Sequence, residues 1–166
     1  MARQARNAAG ALFYGYVPAH VGVHNRQTPL KQYLGDMMLL LRLVLSLRRV
    51  GTSLPVHLYL SGDRHAKYER LFEEQGVHLS DAPYVNPAHW ANPWHAGTFA
   101  KLHALSLAAF DKVLVLDLDC VVLRNIDHVV AWPTPSFRYQ VARRGAGCDW
   151  ELQSGVMLLR PNAHAH

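Results

Sequence analysis

The sequence predicts an α/β domain with a largely parallel sheet, on three observations. Short apolar runs alternate with segments of helical periodicity over the first 118 residues, the pattern of β-α-β units. The longest such segment, 32–50, keeps a 3.6-residue repeat and stops at Gly51. With 166 residues, half of them hydrophobic, the chain is one domain able to bury a real core.

The elements follow in order. Residues 1–10 read as an N-terminal tail, and the apolar and aromatic run 11–17, ahead of Pro18, reads as the first strand. Residues 18–30, with two prolines, read as a loop. In the helix over 32–50 the polar positions Gly35, Arg42, Ser46 and Arg49 fall on one narrow stripe, so most of that helix is expected to be buried. Residues 55–60 read as a second strand. An amphipathic helix follows over 64–75, with Tyr68, Leu71 and Phe72 inward and Gly76 as its stop, and then a brief strand over 77–79. A long loop over 81–97, rich in Pro, Asn and Trp, leads to a third helix over 98–110 with Thr98 as N-cap. Residues 112–118 read as a strand, 121–123 continue extended, and 126–132 form a helical turn before Pro133. Strands over 137–142 and 155–159, split by a Gly-rich polar loop, complete the domain.

Composition narrows the function classes. Seventeen basic residues against 12 acidic ones give a net charge of +5, but the charges are scattered, as in Arg48-Arg49 and Arg143-Arg144. A nucleic-acid surface would cluster them, so a basic surface without a nucleic-acid partner is expected. Two cysteines support no disulfide framework, and Cys120 reads as a small buried hydrophobe. The run 37–47 is too short to span a bilayer and contains Arg42, and no signal-peptide pattern opens the chain. A soluble protein, with the cytoplasm favoured, is the expectation.

The chemistry points to Lys112-Val-Leu-Val-Leu-Asp117-Leu118-Asp119-Cys-Val-Val-Leu. A strand repeats every two residues, so Asp117 and Asp119 project from one face. Burying one unpaired carboxylate costs several kcal/mol, and a like charge beside it adds repulsion. The pair therefore calls for a cation, a shared proton or a solvent-facing strand end. Ligands of open α/β sheets bind at the carboxyl ends of strands, where hard oxygen ligands suit Mg²⁺ or Mn²⁺ and a diphosphate. The structural alternative is a surface pair held by Arg124.

Lys101 has small helical neighbours in Gly97, Ala104 and Ala108. That face can approach another backbone closely and leave the amine at a helix start that favours anions. The alternative is a solvated surface lysine. In the loop, Trp90 and Trp94 could stack on a sugar or simply cover the core edge. Neither His89 with His95 nor His164 with His166 has a familiar metal spacing.

Together these blocks resemble glycosyltransferase family 8, the glycogenin-like and galactinol-synthase-like enzymes of GT-A fold, from about residue 11 to the end. Four blocks carry the resemblance, in order: Tyr33-Leu-Gly with Leu45-Ser-Leu-Arg48-Arg; Phe99-Ala-Lys101-Leu-His-Ala-Leu; Asp117-Leu-Asp119 with Asn125-Ile-Asp127; and Leu152-Gln153-Ser154-Gly155-Val156-Met.

The resemblance implies a Rossmann-like nucleotide-diphospho-sugar transferase fold over residues 11–166. It implies hexosyl transfer from a nucleotide sugar, usually UDP-linked, to an acceptor with retention of configuration. Asp119 would ligate Mn²⁺ (or Mg²⁺) directly and Asp117 would touch the metal or the ribose. Lys101 and Leu118 would face the donor, with Gln153, Ser154 and Gly155 lining the sugar pocket. Gln153 stands where the family commonly has Asn, which moves the amide by one methylene. The family also carries a later His-containing metal motif, so the chain reads as a truncated, donor-binding portion.

Two other readings remain. A haloacid-dehalogenase-like phosphatase would use Asp117 as nucleophile and Asp119 as acid/base. A non-catalytic fragment would bind the nucleotide sugar alone.

Overall fold

Residues 7–12, 29–60, 66–81, 89–90, 101–144 and 147–162 are described by the computed structural model, with side chains for 33–60, 66–81, 89–90, 101–136 and 154–162. Among them the strands are β1 (Asn7–Leu12), β2 (Val56–Leu60), β3 (His78–Asp81), β4 (Lys112–Leu116), β5 (Ser136–Arg144) and β6 (Gly147–Leu159). The α-helices are α1 (Pro29–Arg49) and α2 (Ala66–Glu73). The sheet order is β3-β2-β1-β4-β6-β5. From β3 to β4 all neighbours are parallel, whereas β6 runs antiparallel to both β4 and β5. The α/β class and the mostly parallel sheet agree with the sequence reading.

The first strand begins earlier than expected, inside the supposed tail, at Asn7–Leu12, and residues 13–17 of the expected run lie outside the described residues. Its register explains the shift: Asn7–Gly10 pair with Lys112–Val115, and Ala9–Leu12 pair with Val56–Tyr59. Small, mildly apolar residues suffice here because this strand lies between two apolar neighbours. The last two strands are longer than expected and form one hairpin, with a register shift between Phe137 and Arg138.

Helix α1 starts at Pro29, whose fixed φ suits a first helical position. It ends in a Schellman arrangement. Gly51 takes a positive φ of 67°, its N–H donates to the Arg48 carbonyl at 3.1 Å, and Thr52 N–H donates to Leu47 at 3.3 Å. Helix α2 ends the same way at Gly76, with φ 67° and Val77 N–H on the Phe72 carbonyl at 3.1 Å. The Arg48 guanidinium, from the last turn of α1, donates to the carbonyls of Gln75 and Gly76 at 2.9 and 3.0 Å. The two helix ends are thereby tied to each other.

Two apolar clusters sit on opposite faces of the sheet, and strand alternation sorts residues between them. Val56, Leu58, Leu60, Leu114, Leu116 and Leu158 join Tyr33, Leu40, Leu43, Val44 and Leu47 of α1. Tyr59, Val113, Val115, Met157 and Leu159 face the other way, around Ala104. An apolar run without alternation, as in β4, is what a strand covered on both faces requires.

Burial departs from expectation on both helices. Ser46 of the α1 stripe is buried, while Met38 and Leu45 are largely exposed beside Arg42 and Arg49. On α2, Phe72 is buried and Tyr68 half-buried, but Leu71 is exposed and Glu69 buried. Residues 101–106 form a 3₁₀ segment rather than the α-helix expected over 98–110, and the N-cap at Thr98 lies outside the described residues. The turn expected at 126–132 is a 3₁₀ helix over Asp127–Ala131, with the Lys112 amine on the carbonyls of Val130 and Trp132 at 2.8 and 2.7 Å.

Candidate functional site at the end of β4

The order β3-β2-β1-β4 makes the chain cross from one side of β1 to the other, so a topological switch lies between β1 and β4. The crevice outside the carboxyl ends of such strands is where open α/β sheets hold ligands. Asp117 is the first residue beyond β4 on that side.

The chain does not continue as a strand through the acidic pair. Asp117 N–H donates to the Gly155 carbonyl at 2.9 Å, adding a contact beyond the Leu116–Val156 pairing of β4 with β6. The chain then turns, with Cys120 N–H donating to the Asp117 carbonyl at 3.0 Å. The common face expected from strand alternation is therefore replaced by a turn. Leu118, Cys120 and Val122 pack toward the α1-side core, and Asp119 is exposed. Leu118, expected to face the donor, thus turns its side chain to the core.

Lys101 settles how Asp117 is tolerated. Its side chain is 7% exposed, and its amine forms an ion pair with Asp117 Oδ1, whose side chain is 33% exposed. The same amine donates to Ser154 Oγ at 3.1 Å and to the Ser154 carbonyl at 3.3 Å. Neither a solvated surface lysine nor an Arg124 partner describes this arrangement: the lysine is buried and Arg124 is exposed. Ala104, one 3₁₀ turn on, is fully buried, in keeping with the close approach expected from the small residues on that face.

The structure thus gathers Lys101, Asp117, Ser154 and Gly155, which the sequence had scattered over more than 50 positions. Gln153 lies next to them on β6, opposite Arg138. Cys120 belongs to the same neighbourhood. Its thiol approaches the Gly155 carbonyl at 3.7 Å. Burial pushes the thiol above its ordinary range; the hydrogen bond with the Asp117 backbone and the Lys101 charge oppose that, and the charges of Asp119 and Asp117 add to it. Of the loop over 81–97, the side chains described include His89 and Trp90, both exposed, while Trp94 and His95 lie outside the described residues, as do His164 and His166.

Sequence reasoning missed the support behind the site. The Arg42 guanidinium donates to the Asp119 carbonyl at 3.2 Å, and Val122 N–H donates to Ser46 Oγ at 2.9 Å. A serine four residues after an arginine, inside an otherwise apolar helix, was the available signal. The Asn125-Ile-Asp127 block proves to be a tie. Asn125 donates to the Gly51 carbonyl at 3.0 Å, and the Asp127 carboxylate accepts from Thr52 Oγ1, Ser53 N–H (2.8 Å) and Ser53 Oγ (2.7 Å). Desolvation is the largest single influence and acts the other way, but these bonds with the one to Asn125 together outweigh it and hold the Asp127 carboxyl down to about 2. Among the described residues no group of three His, Cys, Asp or Glu side chains could hold a metal ion.

Residues 29–133, more than half of the chain, match the family model described as "Mannosyltransferase putative". The chain is 32% identical to glycogenin-1 of Caenorhabditis elegans over 72% of its own length and 28% of that protein. It is 29% identical to galactinol synthase 2 of Ajuga reptans over 50% of its length and 30% of the relative. A third relative, UDP-glucuronate:xylan alpha-glucuronosyltransferase 2 of Arabidopsis thaliana, is 30% identical over 46% of the chain and 12% of that protein. The chain therefore spans about a third or less of these relatives.

Among solved structures, the WbbM bifunctional glycosyltransferase superposes over 96% of this chain and 32% of its own, with TM-score 0.59 at 13% identity. The glycosyltransferase GlyE of Streptococcus pneumoniae TIGR4 does so over 95% and 34%, with TM-score 0.51 at 18% identity. At these identities the likeness is one of fold. Among the described residues no helix is long and apolar enough to cross a membrane. With the family model over most of its central residues, glycogenin and galactinol synthase among its relatives, and the GT-A fold of its structural neighbours, this chain belongs to the glycogenin-like glycosyltransferases.

Proposed function

We propose that the β4 end is the donor site of a metal-dependent glycosyltransferase that takes a UDP-linked hexose and transfers it with retention of configuration. One observation carries the reading: a buried ammonium, a part-exposed carboxylate and a serine meet at the carboxyl end of β4, beside the topological switch. That place favours a nucleotide diphosphate, and a relative whose name carries UDP-glucuronate supports uridine as the base. Retention rests on the family resemblance, and the acceptor is left open.

The donor set fits a hard divalent ion. Asp117 and Asp119 offer carboxylate oxygens two residues apart, which suit Mn²⁺ or Mg²⁺ and leave further positions for diphosphate and water. When bound, such an ion neutralises charge on the diphosphate leaving group. The chain's own residues do the rest. Lys101, already poised between Asp117 and Ser154, has an ammonium to offer a phosphate oxygen. Ser154 and Gly155 would border the sugar, with Gln153 beside them.

Thermal denaturation with UDP, Mn²⁺ and both together tests the reading. Ligand at about a hundred times its Kd adds roughly 2.7 kcal/mol, or about 5–10 °C for a domain of this size. The shift should need both additives and should vanish in Asp119→Ala. No shift in the wild type, or an equal shift in the variant, rejects it.

A further inference from the structure

We propose that Arg42 and Ser46 of α1 are positioning residues that fix the Asp119 carboxylate for a divalent cation, acting through the backbone of residues 119–122. The inference rests on the donor-site reading above and adds a device to it. After the turn at Asp117 the chain runs as a strap alongside α1, and the two are tied in step. Arg42 holds the Asp119 carbonyl, Ser46 the Val122 N–H, Gly51 the Asn125 amide and Ser53 the Asp127 carboxylate. Inward side chains at 118, 120 and 122 set the rotation of the strap, so residue 119 faces out.

Asp119 itself has no side-chain hydrogen bond among the described residues. The reach of its carboxylate is therefore set by its backbone, which the Arg42 and Ser46 ties hold to α1 beside the turn bond from Cys120 N–H to the Asp117 carbonyl. Ser46 is fully used: it accepts from Val122 and donates to the Leu43 carbonyl at 2.7 Å, in a buried position where an unmade bond is costly. Arg42 is exposed, so its reach across to Asp119 answers no burial demand. A planar guanidinium gives that contact a fixed direction. Groups that orient metal ligands without touching the metal typically change metal affinity by about 10–100-fold when removed.

The test compares the whole chain with Arg42→Met, Ser46→Ala, the conservative Arg42→Lys and Ser46→Thr, and Arg49→Met as a control on the same helix. UDP binding is titrated by calorimetry with and without Mn²⁺, and exchange of the Val122 amide is followed by NMR without ligand. The expected result is a roughly tenfold or larger loss of the Mn²⁺-dependent gain in UDP affinity in Arg42→Met and Ser46→Ala. UDP binding without metal should be unchanged, the conservative variants should recover part of the gain, and Arg49→Met should match the wild type. Val122 exchange should speed up in Ser46→Ala. Should that variant fail to fold, Arg42→Met decides alone, since an exposed side chain can be replaced without harming the core. A wild-type Mn²⁺ gain that both variants keep overturns the inference and spares the donor site. No Mn²⁺ gain in the wild type overturns the donor-site reading, and the inference with it.

Discussion

The Lys101–Asp117 pair should respond asymmetrically to removal of either partner, because the two are unequally exposed. Asp117→Ala strands an ammonium that is 7% exposed, leaving it only the two Ser154 oxygens. Breaking a buried pair this way costs about 3–5 kcal/mol, and the Ser154 acceptors place the expected loss near the lower end, at about 3 kcal/mol. Lys101→Met keeps the length and packing of the stem and strands a carboxylate that is 33% exposed and can turn to water. Its expected loss is about 1–2 kcal/mol after allowance for solvent screening. The double variant leaves no stranded charge and should lie well short of the sum of the single losses, with a coupling of about 2 kcal/mol. Urea denaturation at pH 7 with a chelator present measures all four proteins without competition from metal. At about 2–4 °C per kcal/mol, Asp117→Ala should melt several degrees below Lys101→Met. Equal losses, a larger loss for Lys101→Met, or simple additivity would refute the assignment of Lys101 as the buried charge that depends on Asp117.

Two further predictions concern titration. Burial raises the Asp36 carboxyl on α1 to about 6, so between pH 4 and 6 the folded state binds more protons than the unfolded one and stability falls as pH rises. Asp36→Asn should remove that slope in urea midpoints and add about 1–2 kcal/mol at pH 7, discounted for partial exposure; a loss of stability would contradict it. Asp127 has the opposite sign. Held down to about 2, it contributes fully above pH 4 and loses its contribution as pH falls toward 2. Asp127→Ala should cost about 1 kcal/mol at pH 7 after solvent screening and flatten the acid limb, whereas an unchanged limb would show that the Thr52 and Ser53 bonds carry no charge-dependent energy.

The sequence alone was enough for the class and the order of most elements, and it singled out Lys101, Asp117 and Ser154, which the fold brings together. Those depend on signals local in the chain: a 3.6-residue period in α1, glycines at both helix ends, an apolar run broken by two carboxylates. Boundaries were less legible. Asn7–Leu12 is a strand because apolar strands flank it on both sides, which its own small residues do not announce. The strand β4 stops at Leu116 because a turn closed by Asp117 and Cys120 intervenes, a feature no alternation rule reveals.

Residue chemistry forbids Asp117 and Asp119 from sitting unpaired in an apolar interior, since the cost of burying charge is independent of fold. The manner of relief comes from the folded chain. Asp117 meets Lys101 and Ser154 from distant segments, and Asp119 faces outward on a strap tied to α1. Side-chain chemistry is written residue by residue, whereas the partner that satisfies each charge depends on which segments the sheet order brings together at one strand end.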